Sequence, residues 1–382
     1  MQKVAGNRVA VSYILRFTVG SAYFCGLFGF LPGQRFTTMS QNVKIGLFIA
    51  VSVISVTFSF YFWQVFRTPN LNLESEKPVA LLVPRGATFQ TVLDSLKANK
   101  ILNDEKSFRF LSRLMKYDQN VKVGRYEIQP DMGNYEAIKK LRSGSQDPLT
   151  VTFNNIRLKQ DLSRRLGAKF AFGPDSLGKY LDDPALCKEY GFDTTTIVCM
   201  FIPNSYEMFW TIKPKALLDR MAKEYKSFWT PARQAKAKAL NMTQTQVQTL
   251  ASIVQGETNK VDEQPRVAGV YLNRLERGIK LEADPTVIFA LRDFTIRRLL
   301  NKQLTVDSPY NTYRYTGLPP GPINLPSINA IDAVLNAEKH DYLFFVVDAR
   351  FNGYHTFSKT LSEHLANARL YQKALTERKI MK

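Results

Sequence analysis

Hydrophobic and polar positions divide this chain into stretches of different period. From Ile45 to Phe66 the sequence IGLFIAVSVISVTFSFYFWQVF runs 22 residues without a charge, close to the roughly 20 apolar residues a helix needs to cross a bilayer. Tyr61, Trp63 and Phe66 gather at its C-terminal end as an interfacial aromatic belt does, and Lys44 and Arg67 flank it. A transmembrane helix over 45–66 is expected. The preceding segment, 1–44, carries Lys3, Arg8, Arg16, Arg35 and Lys44 and no acidic residue, so the positive-inside rule puts it in the cytoplasm and the rest outside. The run is too long for a signal peptide and lacks a small-x-small cleavage site, which favours an uncleaved anchor. A second apolar stretch, Phe17 to Leu31, would return the large domain to the cytoplasm if it also spanned. Met39 opens MSQNVK directly before the main span, and a product starting there, without residues 1–38, would be single-pass.

Beyond the span, 67–77 is polar and Pro-containing and reads as a linker. Residues 78–148 then read as a small domain. Val79–Val83 is a strand, Thr88 opens a helix with Val92, Leu93 and Leu96 on one face, and a second helix follows Asp104. Val123–Ile128 is the returning strand, and a helix near Tyr135–Leu141 stops at Gly144. Residues 149–240 begin with a strand and helix and continue helix-rich to a basic helix around Pro231–Leu240. Within them, Phe201–Glu207 reads as a loop.

The region 241–382 carries the candidate chemistry. Thr243 and Gln246 have capping-box spacing, and Val247, Leu250, Ala251 and Val254 recur on one helical face. Glu257 continues that face near the helix end. A carboxyl group there loses hydration and meets the negative end of the helix dipole, so its pKa should rise into the range of a general acid. The competing reading is a structural ion pair with Arg266 or Arg274. A helix from about Asp262 to Arg277 ends at Gly278, with Val267, Val270, Tyr271 and Leu275 inward and Asn273 and Arg274 at its close. Asp284 before Pro285 reads as the N-cap of a short helix, Pro285–Leu291, or else as a group facing substrate. The loop Ser308–Tyr313 and Gly317–Ile323 is stiffened by proline and carries aromatic and amide groups, suited to lining a sugar groove or to a purely structural role. Tyr342–Val347 and Tyr354–Phe357 flank Asn352-Gly353, a hairpin signal, and a terminal helix starts at about Ser362.

Composition narrows the class. At 45% hydrophobic and 12% aromatic the chain has material for cores, and its net charge of +19 calls for an acidic partner or membrane face. Along the sequence the Lys and Arg residues are scattered, with no zinc-ligand spacing and no aromatic RNA-binding signature, which argues against nucleic acid. Cys25, Cys187 and Cys199 are too few for a disulfide framework, although Cys187 and Cys199 could pair in an oxidising compartment. With three histidines, His340, His355 and His364, no metal site is assigned, and no cofactor.

The stretches LASIVQGETNKVDEQPRVAGVYLNRLERGIKLEADPTVIFAL, SPYNTYRYTGLPPGPI and YLFFVVD followed by GYHTFSKTLSEH resemble the endolytic murein transglycosylase, or YceG-like, family over roughly 78–382. The resemblance implies an α+β fold: an N-terminal transmembrane helix, a LysM-like glycan-binding module over 78–148 and a mixed α+β catalytic domain over 241–382. It implies Glu257 as the catalytic acid and a peptidoglycan groove that includes Asn273, Arg274, Asp284, Thr286, Tyr310, Asn311, Thr312, Tyr313, Gly317, Leu318, Pro319 and Pro320. It places the chain in the cell inner membrane with its large domain on the periplasmic side, acting on glycan strands near cell-wall synthesis enzymes. Gln255 stands where many relatives carry an acid, which marks it as dispensable for the chemistry, and Asn204 and Ser205 depart from the family's Phe-Pro-x-Thr-Tyr pattern.

Overall fold

The computed structural model describes residues 40–378. The apolar stretch at Phe17–Leu31, Cys25 and the alternative start at Met39 lie outside them. The chain divides into two units, the first ending at Phe62 and the second beginning at Trp63. Helix α1, Gln41–Arg67, covers the expected span and extends it at the N-terminal side, with a mean hydropathy of 2.1 in its most apolar window. Nearly all its apolar side chains up to Phe62 are exposed, as a helix solvated by lipid requires.

The second unit opens with a small α+β body. Residues 67–77 were expected to be a linker, yet they contain β1, Pro69–Leu71, with Leu71 fully buried. The reason is a buried amide network. Asn70 Nδ2 donates to Asn134 Oδ1 at 2.7 Å, its Oδ1 accepts from the Asp104 amide at 2.6 Å, and Asn134 Nδ2 donates to the Val65 carbonyl at 3.1 Å. Polar composition alone therefore misread this segment: asparagines that satisfy backbone groups pack as well as apolar residues do.

β2, Val79–Val83, pairs antiparallel with β3, Gly124–Ile128, with Leu81 opposite Tyr126. Between them lie α2, Phe89–Ala98, and α3, Glu105–Leu114, capped by Thr88 and Asp104. The expected strand, helix, helix, strand order is present. Leu81, Val83, Leu93, Leu96, Phe108, Leu111 and Ile128 form its core. Met132–Gly133 is β4, the partner of β1, and α4, Asn134–Ser143, ends at Gly144 in the left-handed conformation.

The remainder shares one larger core. β5, Leu149–Phe153, is followed by α5, Lys159–Gly167, α6, Gly173–Asp182, and α7, Pro184–Glu189. β6, Asn204–Met208, occupies the stretch expected as a loop and pairs antiparallel with β5, Tyr206 opposite Val151. Its polar residues Ser205 and Glu207 face out while Tyr206 and Met208 turn in, an alternation the proline before it obscured. α8, Pro214–Phe228, and α9, Pro231–Ala239, lead into α10, Gln244–Glu257, which starts with the expected Thr243–Gln246 capping box. α11, Gln264–Glu276, α12, Asp284–Leu291, and α13, Ile328–Leu335, pack around α10. The hairpin of β7, Phe344–Val347, and β8, His355–Ser358, turns at Asn352-Gly353 with Gly353 at φ +80°, and α14, Leu361–Glu377, closes the described chain. Cys187 and Cys199 are both buried and free.

The amide network makes a prediction. Asn134→Ala removes the side-chain donor to the Val65 carbonyl and one acceptor of Asn70 Nδ2, and should lower the unfolding free energy of the small body by about 2–3 kcal/mol in urea. It should also speed tryptic cleavage at Lys77. Unchanged stability and cleavage would mean that 67–77 is a linker after all.

Candidate active site

Helix α10 delivers its last residue, Glu257, to a pocket of about 520 Å³. Eight buried residues in a row, Val247–Val254, fix the helix in the core, so the position of its C-terminal end is rigid. Three contacts secure that end. Ser252 Oγ accepts from the Ile323 amide at 3.0 Å, Gln255 Oε1 accepts from the Ser327 amide at 2.7 Å, and Asn324 Nδ2 donates to the Ser252 carbonyl at 2.8 Å. Gln255 is thus a strut between α10 and the segment before α13. Gly256 sits against α12, where an added Cβ would lie 2.8 Å from Pro285 Cβ, so a larger residue there would push the two helices apart.

Neither arginine pairs with Glu257. Arg266 binds Glu338 at 2.9 Å, and Arg274 is occupied elsewhere. The partner of Glu257 is the hydroxyl of Tyr271 on α11, which donates to Oε1 at 2.6 Å. Burial pushes the Glu257 pKa up to about 7; the Tyr271 hydrogen bond pulls it back, and the nearby charge of Asp284 raises it. Burial and the neighbouring carboxylate hold the Tyr271 phenol well above its usual range, so it remains a donor.

Asp284 is not the N-cap of α12. Ala283 occupies that position, and Asp284 is the first helical residue, its carboxylate accepting from the Tyr313 hydroxyl at 2.6 Å. No side chain caps this helix start; Thr312 Oγ1 accepts from the Ala283 amide at 2.9 Å and pairs with Thr286 Oγ1 at 2.8 Å, which fixes the corner. Side-chain geometry at this corner frees Asp284 to line the Glu257 pocket with Tyr313.

Of the residues expected in a groove, the fold brings Glu257, Arg274, Asp284 and Tyr313 to this pocket. Thr286, Asn311 and Thr312 are fully buried and hold loops: Asn311 Nδ2 donates to the Leu304 and Val306 carbonyls, each at 2.8 Å. Asn273 Nδ2 donates to the His340 and Tyr342 carbonyls at 2.7 and 3.0 Å. Arg274 serves the same hairpin, with Nε on the Leu343 carbonyl at 2.6 Å and Nη1 on Glu282 at 3.0 Å. Tyr310 lies in a different cavity, its ring 4.7 Å from that of Phe289. Gly317, Leu318, Pro319 and Pro320 do not line the Glu257 pocket; Gly317 turns the loop at φ +83°.

Sequence reasoning missed part of this wall. Tyr271 reads as core from its period, and it is 1% exposed, yet its hydroxyl donates to the candidate acid. Phe344, Phe345, His355 and His364 come from the hairpin and α14. His355 is fixed by Glu263, whose two carboxylate oxygens meet its amide at 2.6 Å and its Nδ1 at 2.8 Å. His364 stacks on Phe344, and burial lowers its pKa. These positions are more than 85 residues from Glu257 in the chain, and only the YLFFVVD and GYHTFSKTLSEH stretches hinted at them.

The pocket therefore offers one carboxyl near neutrality, a phenol to orient it, a second carboxylate engaged by a tyrosine, and aromatic walls. Comparison with known proteins gives this arrangement a context. The chain is 29% identical over 310 residues to the endolytic murein transglycosylase of Bacillus subtilis, covering 76% of this chain and 84% of that protein. It is 26% identical to the protein of the same name from Streptococcus pneumoniae strain D39, covering 73% of this chain and 56% of that one. A YceG-like protein of Listeria monocytogenes, solved by crystallography, superposes with a TM-score of 0.51 at 27% identity, covering 76% of this chain and 99% of the other. A profile of the YceG-like family matches residues 81–370. The chain, with its α10 glutamate and the α11, α12 and hairpin elements around it, belongs to the YceG-like family.

Proposed function

We propose that this protein is an endolytic lytic transglycosylase that cuts the β-1,4 bond between N-acetylmuramic acid and N-acetylglucosamine, with Glu257 as its acid and base. The observation that carries the reading is a carboxyl group raised to about 7 and bonded to a buried phenol, in a pocket with aromatic walls. The shared name of the relatives supports the substrate and the reaction class.

A group with a pKa near neutrality is partly protonated at working pH and can serve in both directions. Protonated Glu257 gives its proton to the glycosidic oxygen as the bond to the muramoyl C1 breaks. The resulting carboxylate, steadied by the Tyr271 hydroxyl, takes the proton of the muramoyl C6 hydroxyl, whose oxygen closes on C1 of the same sugar. No water is consumed, and the intramolecular nucleophile brings a high effective concentration. The product ends in 1,6-anhydromuramic acid. Arg274 holds the pocket wall through backbone carbonyls, and Tyr313 orients the Asp284 carboxylate with its hydroxyl. In this reading α1 anchors the chain in the cytoplasmic membrane with the large unit outside, and the strand, helix, helix, strand body is a LysM-like module that retains nascent glycan. Synthases working on the same strands would be its neighbours.

Asp284 sustains a second reading, because a second carboxylate in the same pocket is what a hydrolytic muramidase uses to activate water. Mass spectrometry of fragments released from purified peptidoglycan separates the two. Anhydromuramoyl ends from the wild type and none from a folded Glu257→Gln variant are expected; reducing ends would support hydrolysis. Loss of rate in Glu257→Gln should be about 10³-fold or more if the group acts as both acid and base.

The pH profile offers an independent check. Since Glu257 must start protonated, kcat/KM should fall as pH rises through about 7. Asp284→Asn removes a charge that raises the Glu257 pKa, so the alkaline limb should move to lower pH. Tyr271→Phe removes a bond that favours the carboxylate and should move the limb up. A limb that stays put in both variants would mean another group controls it.

A further inference from the structure

Outside the Glu257 pocket, the fold brings Arg157 and Arg292, 135 positions apart in the sequence, to the wall of one cavity. Two adjoining cavities, of about 640 and 260 Å³, share Arg157, Phe289 and Asn324 as wall and together make a groove lined from Gly256 to Arg292. Its near end is made by Gln255, the strut of α10, and by Gly256 and Pro285, which adjoin Glu257 and Asp284 in sequence. Its far end holds Arg292 and Tyr310.

The arginines there are poised for an anion. Arg157 places its guanidinium 4.8 Å from the Phe294 ring centroid and Arg292 lies 4.2 Å over Phe289, and neither forms an ion pair among the described residues. A guanidinium stacked on a ring keeps its N–H edge free for bidentate contact with a carboxylate. The loop after α12 adds exposed Arg297, Arg298 and Lys302, while its acid, Asp293, is occupied by the Thr295 amide and hydroxyl at 3.0 and 2.6 Å. Lys159, also on the wall, is already held by Asp182 at 2.5 Å. Arg292 is the left-handed C-cap of α12, φ +57°, so its place at the cavity wall is set by the end of that helix.

We propose that this groove receives the acidic stem peptide of the glycan, its amide backbone along the Asn and Gln groups near Gly256 and its carboxylates on Arg157 and Arg292. The proposal rests on the peptidoglycan reading above and deepens it: the enzyme would select strands that carry peptides over bare ones. A peptide branches from each muramoyl unit, so a groove lined at one end by Gly256 and Pro285, the chain neighbours of Glu257 and Asp284, and at the other by Arg292 suits a branch whose acidic groups lie away from the sugar.

Binding to the full-length Glu257→Gln chain tests this without turnover. The probes are a disaccharide–tetrapeptide with free carboxylates and the bare disaccharide. The peptide-bearing probe should bind about tenfold more tightly, the scale of two charge-assisted contacts at an open site. Adding Arg157→Gln and Arg292→Gln should reduce it to the affinity of the bare disaccharide, and Arg157→Lys with Arg292→Lys should restore part of the difference. Equal affinity of the two probes, or no binding of either, would overturn the groove, as would a preference that survives the glutamine pair. Wild-type turnover separates this result from the reaction itself. A chain that releases no fragments yet discriminates the probes defeats the transglycosylase reading and supports the groove. One that cleaves peptidoglycan and shows no discrimination defeats the groove alone.

Discussion

A carboxyl group at the C-terminal end of a buried helix meets two forces that oppose its ionisation, loss of water and the partial negative charge of the helix carbonyls. Glu257 is held in that position, and the catalytic unit depends on it. Left alone, such a group would be locked as a neutral acid. The Tyr271 hydroxyl at 2.6 Å restores part of the solvation that burial removed and brings the pKa back to about 7. One phenol on α11 thus sets the balance that the proposed acid and base role of Glu257 requires.

The surrounding structure makes that contact precise. Ser252 and Gln255 tie the end of α10 to the segment 323–327, and Gly256 permits α12 to approach as closely as it does. Asn273 and Arg274 extend from α11 to the carbonyls before β7, so the helix that carries Tyr271 also locates the hairpin that supplies Phe345 and His355. The polar residues that look like substrate contacts are in large part the struts of the site. A loop can position a reacting group to a fraction of an ångström only if its own backbone groups are satisfied, and Asn311, Thr312 and Thr286 do that.

Elements with a clean period were legible from the chain alone. The apolar span, the two-helix insertion between β2 and β3, the capping box of α10 and the Asn352-Gly353 hairpin all lie where apolar spacing and turn chemistry put them. Glu257 was legible because its position continues a helical face. What the sequence hid were features set by distant partners. β1 is polar and folds through asparagine amides to residues 34 and 64 positions away. β6 hides its alternation behind Pro203 and a run of polar residues, and Asp284 stands one residue past the N-cap with its carboxylate on the Tyr313 hydroxyl, 29 residues on. Tyr271 is indistinguishable from core by period, since a residue may be buried and still turn its one polar atom to the site.

The most direct measurement of the central claim is the titration of the Glu257 carboxyl itself, by carbon-detected NMR of the chain labelled at glutamate side chains, with Glu257→Gln to assign the signal. The account predicts a midpoint near 7, far above that of an exposed glutamate. A midpoint in the ordinary range around 4.3 would show that the carboxyl is ionised and solvated at working pH, and would contradict its role as the acid.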